Sequence, residues 1–103
     1  MTTIIQIGTT NYEDDIISIK IALSHLQTNC EVQDGFEVGQ PVSKFGWTFF
    51  PLLIKPHFHY GIEQKFADMI QKYKGKNEEK FLKFMSDFFE AKGSKVSLKL
   101  IES

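Results

Sequence analysis

At 103 residues the chain is a single domain over 1–103, and its 42% hydrophobic content supports one modest core and argues against disorder. One cysteine, Cys30, excludes an internal disulfide framework, and no stretch has the apolar length that a membrane span requires. All twelve basic residues are lysines, which disfavours functions built on bidentate arginine contacts, and the net charge of −1 hides a division: six acids against Lys20 alone over 1–43 (net −5), eleven lysines against seven acids over 44–103 (net +4).

Residues 3–7, Thr-Ile-Ile-Gln-Ile, predict a β-branched strand ended by Gly8. Thr10 to Glu13 has capping-box spacing, and Glu13, Asp14 and Asp15 suit a helix N-terminus. Ile16, Ile19, Leu23 and Leu26 then form a helical stripe. Ile17, Ile19, Ile21 and Leu23 also alternate as a strand would; the cap decides for a helix. Glu31 to Val38 reads as a β-hairpin around an Asp34-Gly35 turn, closed by Gly39-Gln40-Pro41. Residues 46–55 form a further strand, and Pro51 marks an edge or a bulge.

Ile62, Phe66, Met69, Ile70 and Tyr73 fall on one face of a helix that Gly75 ends. Asn77 caps the next helix, whose apolar face is Phe81, Leu82, Met85, Phe88 and Phe89, with Phe88 expected in the core. Gly93 ends it, and the short link around Gly75-Lys76 predicts an antiparallel helical hairpin. Lys95 to Leu100 alternates strictly and closes the chain as a strand. The order β-α-β-β-β-α-α-β predicts an α+β fold: a mostly antiparallel sheet of about five strands, with helices packed on one face. The last strand lies beside the first or the fourth.

Candidate chemistry is sparse. His57 and His59 would share one side of a strand and could hold one ion, but a third ligand, His25 or Cys30, would have to arrive through the fold. Cys30 beside Glu31 lacks the electropositive surroundings of a reactive thiol. Gly8-Thr9-Thr10 resembles a phosphate-cradling turn only in outline, and the acids after it repel an anion. Asp14 with Asp15, and Glu78 with Glu79, are neighbours on helices and do not face each other. No catalytic set, metal site or cofactor site is expected. The lysines from Lys72 to Lys83, with Lys92, Lys95 and Lys99, are interrupted by Glu78, Glu79, Asp87 and Glu90. They read as a solvated face, which disfavours a nucleic-acid partner.

Six aromatic residues fall between 45 and 60. Trp47 and Tyr60 combine apolar area with a polar handle and are the contact candidates, together with Asp34 and Glu37 of the acidic turn. In size and charge layout the chain resembles immunity proteins. The resemblance implies a non-enzymatic inhibitor of immunity or antitoxin type, which binds a basic toxin enzyme in the bacterial cytoplasm. The N-terminus lacks a basic region before an apolar run, which agrees with a cytoplasmic expectation. The alternatives are a histidine-based metal-binding protein or enzyme, and a nucleic-acid accessory protein that uses the lysine-rich half.

Overall fold

A computed structural model describes residues 2–102. Five strands form one antiparallel sheet: β1 (Thr3–Thr9), β2 (Phe36–Val38), β3 (Val42–Lys44), β4 (Trp47–Ile54) and β5 (Ser97–Glu102). Four helices accompany it: α1 (Tyr12–Cys30), α2 (Pro56–Lys65), α3 (Ala67–Gln71) and α4 (Asn77–Ala91). The sheet runs β2-β4-β1-β5, and β3 pairs with β4 on the same side as β2. Thus β5 lies beside β1. The connectivity is a split β-α-β arrangement. The expected α+β class, with one sheet and one helical layer, is what the chain adopts.

Alternation along the central strands divides their residues between two faces. Ile5, Ile7, Phe50, Leu52 and Ile54 point to the helices and are buried. They meet Ile19, Ala22, Leu23 and Leu26 of α1, Phe58 and Ile62 of α2, Ile70 of α3, and Phe81, Phe84, Met85 and Phe89 of α4 in one core. Helical geometry turns Ile17 and Ile21 outward, so the strand-like alternation in α1 was an accident of two exposed isoleucines.

Several expectations need correction. Residues 31–38 form no hairpin. Instead α1 runs to Cys30, and Glu31 caps it in left-handed geometry, φ 55°. Gly35 is then held between two elements. Its N–H donates to Gln27 Oε1 at 2.7 Å, and its carbonyl accepts from Lys55 N–H at 2.8 Å. A Cβ there would sit 2.6 Å from that of Phe58, so the glycine serves close packing. The tight hairpin lies later, between β3 and β4, where Phe45 (φ 52°) and Gly46 (φ 81°) make a two-residue turn of type I′ sign.

Strand β4 is also central, despite Pro51. Gly39 N–H donates to the Pro51 carbonyl at 2.8 Å. A strand residue directs its N–H and C=O to the same neighbour. The donor that proline lacks would therefore fall in the gap between Val38 and Val42, where β2 has ended and β3 has not begun. Gly39 fits over the ring, since a Cβ on it would come within 2.4 Å of Pro51 Cγ.

The helix expected across 62–73 begins earlier, at Pro56, and breaks at Phe66 (φ −114°). The break brings the Phe66 ring to 5.1 Å from Phe84 and leaves Met69 exposed. In α4 the inward residue is Phe84; Phe88 is only half-buried, stacked on Phe84 at 6.2 Å with the Lys92 ammonium 5.7 Å from its ring.

Candidate binding face

The helices cover one side of the sheet. On the other side, β4 turns out Trp47, Phe49, Pro51 and Leu53, and β1 turns out Ile4, Gln6 and Gly8. Phe49 lies over Gly8, where a Cβ would meet its ring at 2.9 Å. Trp47 and Phe49 are nearly parallel, 15° apart with centroids 6.2 Å apart. Ile4, Val42, Phe49, Pro51 and Ile101 line a shallow groove of about 470 Å³. Val42 is 65% exposed, Trp47 41% and Phe45, at the hairpin tip, 91%. The strip is contiguous apolar surface with no helix over it, the kind of surface on which interaction sites are found.

Phe45 is the most unusual residue of the strip. A bulky side chain with positive φ is an outlier, because its Cβ crowds the backbone. Here that strain presents an aromatic ring to solvent, with the Lys44 ammonium 5.7 Å from it.

The charges on this face are ordered. Across the sheet, Glu37, Leu53, Ile4 and Glu102 form one row. At the other end of the strands Lys44 pairs with Trp47, and Lys95 lines a recess with Trp47, Thr9 and Thr10. Lys99 stands between them, opposite Gln6. The face is acidic at one end, apolar and aromatic in the middle, and basic at the other.

Of the four contact candidates, Glu37 and Trp47 share this face, at opposite ends. Asp34 is exposed in the turn from α1 to β2, with φ 52°. Tyr60 is 67% exposed but belongs to α2, in the helical layer. The sequence reading passed over Ile4, Val42, Phe45, Phe49 and Ile101 as contact residues. Their signal was present: residues 47–54 are apolar at both parities, whereas a strand with one wet face alternates.

The histidines do not converge. Both lie on α2, where positions two apart point in different directions. His57 Nε2 donates to the Gln33 carbonyl at 2.9 Å. His59 joins three elements: Thr3 Oγ1 of β1 is 2.6 Å from Nδ1, Glu63 Oε1 is 2.7 Å from Nε2, and its ring stacks on Phe81 of α4 at 4.1 Å. Burial holds the imidazole below its usual pKa, against the upward pull of Glu63. In the neutral form Nε2–H donates to the carboxylate and Nδ1 accepts from Thr3. Hydroxyl, imidazole and carboxylate in a row is also the order of a nucleophilic site. The three side chains border a pocket of about 270 Å³ together with Asn77, Glu78 and Phe81, while Thr3 itself is only 3% exposed, and the contacts tie β1, α2 and α4 together. Burial raises the Cys30 thiol pKa, with Lys65 opposing, which suits an inert thiol. Among the described residues no three His, Cys, Asp or Glu side chains gather to hold a metal, and no helix is long and apolar enough to cross a membrane.

Comparison with known protein families, curated proteins and solved structures finds no match.

Proposed function

We propose that this chain is a non-enzymatic protein-binding module that docks its partner on the open face of the sheet. The observation that carries this reading is Phe45, an almost fully exposed aromatic in a strained turn beside an uncovered apolar strip. An inhibitor of immunity or antitoxin type, acting in the cytoplasm on a toxin enzyme, is the most concrete form of the proposal. The ordered charges refine the earlier expectation of a basic partner. A complementary surface is basic where it meets Glu37 and Glu102, and acidic where it meets Lys44 and Lys95.

The test is capture of the partner from host extract on the tagged full chain, with crosslinking from the face. Wild type should retain a protein that Phe45→Asn and Trp47→Ser lose and that Tyr60→Ala, in the helical layer, keeps. Loss with Tyr60→Ala but not with the face variants would move the contact to α2. Stoichiometric zinc in the purified protein, lost with His57→Ala and His59→Ala together, would overturn the non-enzymatic reading. Salt-dependent binding of single-stranded oligonucleotide to Trp47 and Phe49 would replace the protein partner with a nucleic acid.

A further inference from the structure

We infer that the open face is self-complementary and that its first partner is a second copy of this chain. This rests on the open-face reading above and names the occupant. Two copies that meet face to face in a closed dimer are related by a two-fold axis lying between the sheets. With that axis across the strands, each strand reverses direction while each lateral side of the sheet stays over itself.

The charge rows then meet their opposites. Glu37 lies on the lateral side of β2, and Lys44 lies on the same side, because β2 and β3 both pair with β4. Reversal brings Glu37 of one copy over Lys44 of the other. Glu102 ends β5, and Lys95 stands just before the start of β5. Reversal likewise brings Glu102 over Lys95. Lys99 falls nearest the axis, facing the Ser97 end of the other copy. The axis passes between Phe49 and Pro51, so Phe49 of each copy lies over Pro51 of the other and the two grooves face each other.

The opposite arrangement, with the axis along the strands, would set acid row over acid row and lysines over lysines. Charge order alone selects the reversed pairing. At about 4.8 Å between strands and about 3.4 Å per residue, four strands by six residues give roughly 400 Å² per copy. The roughly 800 Å² total is below the 1,200–2,000 Å² of tight complexes, so the dimer is weak and concentration-dependent. A heterologous partner competes with the second copy for the same face.

Sedimentation equilibrium of the full chain, from about 1 µM to about 1 mM, spans the range in which an interface of this size associates. A monomer–dimer equilibrium that weakens with salt is expected. Glu37→Lys with Glu102→Lys, and separately Lys44→Glu with Lys95→Glu, should each weaken self-association by about 10-fold or more. An equimolar mixture of the two variants should form a heterodimer at least as tight as wild type. All four positions are exposed, and circular dichroism checks that both variants fold. A wild-type chain that stays monomeric throughout, or a mixture that fails to reassociate, would overturn the inference. If the chain is monomeric but Phe45→Asn still abolishes capture of another protein, the second copy is excluded and the open face stands as a binding face. If neither association nor capture responds to the face, both readings fall.

Discussion

Replacing Phe45 with asparagine separates what this side chain costs the monomer from what it offers a partner. Phe45 and Gly46 both have positive φ. Left-handed geometry costs an ordinary L-residue roughly 1–2 kcal/mol, and asparagine tolerates it best among residues with a Cβ. In return the ring contributes little to the isolated fold. It is 91% exposed, so the apolar area buried in the fold, at ~25 cal/mol per Å², is worth only about 0.5 kcal/mol. The exposed contact with Lys44, at 5.7 Å, is worth about 0.5 kcal/mol. The difference favours asparagine: Phe45→Asn should stabilise the monomer by up to about 1 kcal/mol. For a domain of this size that raises Tm by a few degrees, on the scale of about 4–8 °C per kcal/mol. Thermal and urea denaturation at low micromolar concentration, with the face unoccupied, would measure it. Binding should weaken in the same variant. A loss of more than about 1 kcal/mol would show that the ring packs within the monomer and is not presented to a partner, which would remove the main support for the proposed function.

Other consequences concern the core and the histidine clamp. Phe89→Ala should cost about 3–5 kcal/mol by urea denaturation, and Phe88→Ala about 1–2 kcal/mol, because only the first ring is fully buried. Equal losses would mean that Phe88 is held more deeply than its exposure implies. Because the folded state holds His59 below its usual pKa of 6.5, the unfolded chain takes up a proton first as pH falls. Stability should therefore decline as pH drops below about 6.5, and His59→Gln should flatten that slope; an unchanged slope would place the titration elsewhere.

Much of the architecture was legible. The strands at both ends of the chain, the helix after Thr10, the strand across 46–55 and the glycine stop at 93 follow from local periodicity and glycine placement. The expected side-chain caps, by contrast, do not form: Asn11 precedes α1 and Lys76 precedes α4, neither with a capping side-chain hydrogen bond. What was not legible depends on contacts distant in sequence. The Asp34-Gly35 pair carries the strongest hairpin signal in the chain, yet Gln27 and Lys55 hold Gly35 in another role, and Phe58 closes the space above it. Pro51 signals an edge, and its edge exists only in the gap between two short partners that no local rule places there. Phe45-Gly46 is not a preferred pair for a type I′ turn, so the real hairpin gave no signal. Within the candidate site, Trp47 and Glu37 were identifiable from residue type. That they share a face while Tyr60 and Asp34 lie off it depends on strand order and on α2 beginning at Pro56.

These departures from local rules are not scattered. A phenylalanine with positive φ, a proline inside a central strand and a strand apolar on both faces all fall between residues 45 and 54. Two work against the isolated monomer, the first through strain and the third through wet apolar surface, while the second would cost a ladder hydrogen bond in an unbroken neighbour strand. The proline is compensated within the fold by the break between β2 and β3. The exposed apolar residues and Phe45 have no compensation on this face, because the helices all lie behind the sheet. Local rules fail most informatively where a residue serves something outside the fold. Here the uncompensated residues are contiguous, share one face and lie between an acidic and a basic end. That placement suits a surface completed by a second molecule, and it makes Phe45→Asn and the paired charge reversals complementary tests: one removes the apolar anchor, the other the alignment.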